Sequence, residues 1–243
     1  MRIDIWSDYA CPFCYIGKRR LEHALSQFPH RDQVEVVFRS FELDPNAKVQ
    51  PGKDIHDMLA TKYGMTREKA KAMNEQLAEQ ARGVGLEFNF DTVVHANTFD
   101  SHRLNRYAAA QGKAAEMTER LLRAYFTDTL NISDHEVLVA LAAEVGLDAA
   151  AVSTLLKSDT YADAANGDIE EARRLNVTGV PFFVFNSKYA VSGAQPGPVF
   201  TEVLDTVWAE EQEAPALQVL GSSDPAASAN GNEDGCADGS CKL

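Results

Sequence analysis

The sequence predicts an α/β fold carrying a large all-helical insertion, and three observations predict it. The chain opens with a strand that runs through Cys-x-x-Cys into a helix and then a second strand. Residues 53–175 follow with helical periodicity throughout. A β-hairpin and one closing helix then complete the sheet layer.

Taken in order, residues 3–6 read as the first strand and Ser7-Asp8 as its polar break. Cys11-Pro12-Phe13-Cys14 then enters a helix that ends near Phe28-Pro29. Pro12 suits the first helical turn, where its missing N–H costs nothing. Cys11 therefore sits at a helix N-terminus, facing unpaired N–H groups and the positive end of the dipole. A thiolate is stabilised there, and the thiolate is the form that attacks disulfides. Cys14 lies one turn later and can close a disulfide with Cys11, displacing a bound substrate. Cys11 is thus the expected nucleophile, exposed to solvent, and Cys14 the shielded resolving thiol. Two other readings stand beside this one. Half of a zinc site would need a partner pair, and the folded region offers none. Two ordinary buried thiols would not explain the strand–Cys-x-x-Cys–helix context.

Residues 34–39 read as the next strand, closing a βαβ unit in which the helix returns the chain to run parallel to the first strand, with a right-handed crossover expected. The helical block follows, with helices expected over 54–63, 66–82, 98–111, 114–127, 133–145, 149–157 and 161–175. Gly64 and Gly83-Val84-Gly85 supply stops, Thr66 and Asp148 supply caps, and Ser133 with Glu136 reads as a capping box. Met117, Leu121 and Tyr125 mark one core face; Val137, Leu138, Leu141 and Val145 mark another. Strand signal returns at 177–185, Asn186-Ser187-Lys188 turns, and 189–192 pairs back. Pro196 opens a last helix through Phe200, Val203, Leu204, Val207 and Trp208. These elements divide the chain into residues 1–44 with 176–213, a helical subdomain over 45–175, and a flexible acidic tail over 214–243.

Composition narrows the function. A net charge of −13 argues against nucleic acid or an anionic membrane as partner, since both need clustered cations. The one basic run, Lys18-Arg19-Arg20, reads as the solvated face of the first helix. No apolar run reaches membrane-spanning length, and Met1-Arg2 leads into the first strand without a signal peptide, so the expected compartment is the cytoplasm. Four cysteines in two close pairs then point to catalytic or regulatory disulfides rather than structural ones.

The order β, Cys-x-x-Cys, α, β, helical insert, then a hairpin entered through Val180-Pro181 resembles the thioredoxin fold. The position of the insert is similar to that of the DsbA-like oxidoreductases. Three motifs narrow the resemblance to their FrnE branch: the stretch from Ser7 through Cys14, His95-Ala96-Asn97-Thr98 with His102-Arg103, and Thr178-Gly179-Val180-Pro181-Phe182. In that fold the strand after Pro181 runs antiparallel to the first strand, which places Pro181 beside Cys11. The resemblance implies a cis Val180–Pro181 bond, with Val180, Pro12 and Phe13 meeting an extended substrate. It implies thiol–disulfide exchange on protein or peptide disulfides. No cofactor is required, and glutathione or the thioredoxin system is a candidate electron donor. Phe13 departs from the histidine of DsbA and gives the Cys11 thiolate no donor. The expected potential is therefore on the order of −160 to −230 mV, between thioredoxin and DsbA.

Asp8 is a candidate for proton transfer and, more simply, for shaping the strand-to-helix turn. His95 and His102 are candidates for lining the cleft; a metal role needs a third ligand, and none is indicated. His23, His30, His56 and His135 read as surface or capping residues. Cys236 and Cys241, at C-x4-C spacing in the tail, are candidates for exchange with the Cys11–Cys14 pair, or for adventitious binding of a soft metal. A second function class also fits the arrangement, a glutathione-dependent isomerase or transferase of the kappa-class or 2-hydroxychromene-2-carboxylate isomerase type. Those relatives usually lack the second active-site cysteine, which this chain keeps as Cys14.

Overall fold

Four strands in the order β2-β1-β3-β4 build the sheet on which the molecule is assembled. The computed structural model describes residues 1–49 and 53–213, so Cys236 and Cys241 and the whole expectation for residues 214–243 lie outside the described residues. Residues Met1–Gln212 gather into one compact unit.

β1 (Arg2–Ser7) feeds α1 (Pro12–Gln27), and β2 (Glu35–Ser40) returns parallel to β1 with Trp6 opposite Arg39. The insertion comprises α2 (Ile55–Tyr63), α3 (Arg67–Arg82), α4 (Phe99–Ala110), α5 (Ala114–Phe126), α6 (His135–Glu144), α7 (Ala149–Leu156) and α8 (Ala162–Arg174). The chain re-enters the sheet as β3 (Phe182–Phe185), antiparallel to β1, turns into β4 (Tyr189–Ser192), and closes with α9 (Gly197–Glu213).

Local chemistry explains where the helices start. The Asp54 carboxylate accepts the Asp57 N–H at 2.8 Å, the Thr66 hydroxyl that of Lys69 at 3.2 Å, and the Asp148 carboxylate that of Ala151 at 2.8 Å. Gly64 ends α2 in the left-handed region at φ 63°, where a side chain would be strained. The cap of α6 is one residue later than the sequence suggests. Asp134 accepts the Glu136 N–H, while Ser133 is turned back to donate to Asn131 Oδ1 at 2.7 Å. β3 is shorter than the apolar run that announces it. Pro181 has no N–H to give to a ladder, so pairing with β1 begins at Phe182, opposite Trp6.

α1 lies between two cores. Leu21, Ala24 and Phe28 pack with Ile3, Ile5, Phe183, Phe185, Phe200 and Leu204 against the sheet. Tyr15 and Ile16 join Leu104, Met117, Leu121 and Phe126 of the insertion. Val137 and Val145 are only partly buried, so α6 buries a narrower face than its sequence pattern implies. Gly17 permits the close approach of α1 to the loop before β3: a Cβ there would stand 3.0 Å from Pro181 Cγ and 3.2 Å from Phe183 Cζ.

The basic run of α1 is not a solvated face. Lys18 is 6% exposed. Its Nζ meets Glu119 Oε2 of α5 at 2.5 Å, and Arg19 pairs with the same carboxylate. Tyr15 donates to Glu119 Oε1 at 2.6 Å, and Arg20 donates to the Ala194 carbonyl. Burial pushes the Glu119 carboxyl pKa up, but Arg19, Lys18 and Tyr15 outweigh it and bring it down to about 2. This clasp ties the first helix of the sheet layer to the insertion.

Candidate active site

Cys11 occupies the N-cap of α1 with extended backbone angles, φ −97° and ψ 110°, and Pro12 takes the first helical position. The geometry follows from the turn before it. The Cys11 N–H donates to the Asp8 carbonyl at 3.1 Å, and the Cys14 N–H donates to the Cys11 carbonyl at 3.0 Å. Antiparallel pairing of β3 with β1 brings the Val180–Pro181 segment to the same place, and that peptide bond is cis. The Cys11 thiol donates to the Val180 carbonyl at 3.4 Å. Both cysteines are free thiols.

Cys11 is not exposed to bulk solvent as the helix position alone suggests: it is 4% exposed, and Cys14 is 2% exposed. The reason is the insertion, which roofs the end of α1. Cys11 opens instead into a cavity of about 450 Å³ beneath α2 and α3. Pro12 and Phe13 line the same space, and Phe13 is 44% exposed at its edge. Cys14 lies behind. Burial, and then the neighbouring Cys11 sulfur, push its thiol well above the usual range, while Ser7 and the backbone of Asp8 pull weakly the other way.

Asp8 is 1% exposed and forms the floor. One carboxylate oxygen accepts the Ala10 N–H at 3.2 Å and the other the Leu43 N–H at 2.7 Å, which fixes the strand-to-helix turn and pins the chain leaving β2. Burial pushes the Asp8 carboxyl up, yet nearby His102, the Leu43 N–H and Thr98 outweigh it and leave the pKa below its ordinary value.

The sequence profile of the DSBA-like thioredoxin domain matches residues 2–205. The chain belongs to that family. A probable DsbA oxidoreductase from Streptomyces coelicolor is 44% identical, with 91% of this chain and 94% of that chain covered and a TM-score of 0.84. The uncharacterised protein YwbO of Bacillus subtilis (strain 168) is 30% identical over 217 residues, 88% of this chain and 98% of YwbO. A 2-hydroxychromene-2-carboxylate isomerase, 14% identical with a TM-score of 0.63 over 89% of this chain and all of that one (100%), shares the fold. Among the described residues no helix is long and apolar enough to cross a membrane.

Within this DSBA-like domain the histidines take unequal places. His95 lines the cavity with Nε2 3.5 Å from Asp44 Oδ2. His102 is buried beneath it, its Nε2 3.8 Å from Asp8 Oδ1 and its ring 4.7 Å from that of Tyr9. His56 is not a surface residue. It is 1% exposed, with one ring nitrogen 3.0 Å from Asn74 Nδ2 and the other 3.0 Å from Asp91 Oδ1. It ties α2 to α3 and to the loop below them.

Sequence reasoning missed the wall of the cavity. Leu43, Met58, Met73 and Leu77 line it, and Tyr63 and Met73 are 61% and 50% exposed at its rim. The missed signal is the exposure of large apolar side chains, which periodicity does not carry.

Proposed function

We propose that this protein is a thiol–disulfide oxidoreductase in which Cys11 attacks and Cys14 resolves. The observation that carries the reading is one juxtaposition. The Cys11 sulfur stands at the N-terminus of α1, 3.4 Å from the Val180 carbonyl, and opens on an apolar cavity with Cys14 behind it. The Cys11 thiolate attacks a substrate disulfide, forms a mixed disulfide and releases one substrate sulfur as a thiolate. Cys14 then loses its proton and attacks Cys11, closing the Cys11–Cys14 disulfide and releasing the second sulfur. Once the mixed disulfide forms, the Cys11 charge is gone, so one of the two main influences that hold Cys14 protonated disappears. The protein dithiol is oxidised by two electrons and the substrate disulfide is reduced by two; an external dithiol or glutathione restores the enzyme. Val180 presents backbone beside the sulfur for an extended segment of substrate to pair with. Pro181 shapes that edge, and Phe13 and Pro12 meet the substrate from the other side.

Within the family we place the chain in the FrnE branch, on the three motifs around Cys11, His95 and Pro181, and in the cytoplasm, with protein or peptide disulfides as substrates. The test is disulfide reduction of insulin by the protein and by its Cys11→Ser and Cys14→Ser variants. Activity lost in Cys11→Ser, and a mixed disulfide trapped in Cys14→Ser, support the reading. A glutathione-dependent isomerase is the second reading, favoured by the fold shared with 2-hydroxychromene-2-carboxylate isomerase. It expects no thiol-dependent insulin reduction and full isomerase turnover in Cys14→Ser.

A further inference from the structure

The cavity beside Cys11 does not end at its apolar wall. A second space of about 390 Å³ continues from it, and Leu43, Asp44, Ala47, Met58, Lys62 and His95 line both. The far space adds Lys48 and Lys53 to Lys62. In a chain with 36 acidic and 23 basic residues, three lysines at one end of one groove are unexpected.

The partners of the surrounding charges make the point sharper. Asp54 is held by Arg67, and Asp91 by His56 and Lys71. Asp44 faces His95. Lys48, Lys53 and Lys62, by contrast, pair with no carboxylate among the described residues. Three lysines without a carboxylate partner thus line this space against one acid, Asp44, with Lys62 Nζ 5.9 Å from the Tyr63 ring centroid, which makes this end of the groove locally positive on an otherwise negative protein. The other end is built from Met58, Leu59, Met73 and Leu77 and meets Cys11. Apolar lining with a few convergent charges, at this volume, is the composition of a small-molecule site.

Resting on the oxidoreductase reading above, we propose that the groove takes low-molecular-weight disulfides with an apolar body and an anionic end. Lys48, Lys53 and Lys62 hold the anion, the methionine wall holds the body, and Cys11 receives the sulfur. The Cys11 thiolate attacks the near sulfur, the far half leaves as a thiolate, and Cys14 then displaces the near half. Two thiolates leave, two protons are lost from the protein dithiol, and the Cys11–Cys14 disulfide forms.

The probes are two aromatic disulfides, the dianionic 5,5′-dithiobis(2-nitrobenzoate) and the neutral 4,4′-dithiodipyridine. Each is mixed with reduced full-length protein, and the Cys11-dependent rate constant is the difference from the Cys11→Ser variant. In the triple variant Lys48→Gln/Lys53→Gln/Lys62→Gln the rate constant for the dianionic probe is expected to fall at least tenfold. That for the neutral probe stays within twofold, and Lys157→Gln, remote from the groove, changes neither. Equal rates for the dianionic probe with and without the lysines overturn the proposal, as does an equal loss for both probes. If neither probe shows a Cys11-dependent rate in the unaltered protein, the oxidoreductase reading itself fails, an outcome separate from any effect of the lysines.

Discussion

Replacing Glu119 with Gln tests how the insertion is held to the sheet layer. The side chain is one-third exposed and joins Lys18, Arg19 and Tyr15 of α1 to α5. Its carboxyl falls from an ordinary 4.5 to about 2 in the folded protein. Each pH unit between those values is worth about 1.4 kcal/mol, so roughly 3 kcal/mol is a ceiling. Exposure and solvent screening reduce the working figure to about 1–2 kcal/mol. The sign follows from the lowered pKa: the stabilisation is complete above about pH 4.5 and is lost as pH falls through about 2. Urea denaturation of the unaltered protein and Glu119→Gln at pH 7 and at lower pH measures the difference. The variant is expected to be about 1–2 kcal/mol less stable at pH 7, with the gap closing toward pH 2. Equal stability at pH 7, or a gap that does not change with pH, refutes the argument.

Other outcomes follow from the same structure. Alkylation of the reduced protein at mildly acidic pH, followed by peptide mapping, is expected to label Cys11 before Cys14, because only Cys11 opens on the cavity; faster labelling of Cys14 reverses the assignment. Gly17→Ala pushes a methyl group against Pro181 and Phe183 and is expected to cost about 1–3 kcal/mol and slow disulfide exchange, read by denaturation and by insulin turnover. Asp8→Asn leaves one of the two N–H groups, Ala10 or Leu43, facing an amide donor, with an expected loss of about 1–3 kcal/mol; unchanged stability contradicts the role given to the carboxylate. His56→Ala strips Asn74 and Asp91 of a shared partner and is expected to destabilise by a similar amount, about 1–3 kcal/mol, where a surface histidine would cost nothing measurable.

The order of the elements was legible because their ends are written in local chemistry. Asp54, Thr66 and Asp148 each cap the helix that follows them, and Gly64 marks a stop. The Cys11 helix position was legible for the same reason, since Pro12 has few other uses there. What was hidden depends on contacts distant in sequence. Lys18 and Arg19 look like surface charge until Glu119, about 100 residues on, is seen between them. His56 has no periodic pattern to place it, and Asn74 and Asp91 come from other elements. The exposure of Cys11 was misjudged because a helix N-terminus is open by itself and becomes roofed only when α2 and α3 fold over it. The groove was hidden for a further reason. Ile55, Met58 and Leu59 have the spacing of an ordinary core face, and nothing local distinguishes a face that meets a protein core from one that meets a cavity.

The Cys11 sulfur and the Val180 carbonyl that faces it are 169 positions apart in the chain. At translation speeds of about 5–20 residues per second, Cys11 emerges from the ribosome roughly 10–30 s before the segment that completes its site. Through the whole of that interval the nascent chain carries a reactive thiol pair without its docking edge, even after the residues of α2 and α3 have emerged, so its oxidation state is set by the surrounding thiol pool and not by backbone docking at Val180.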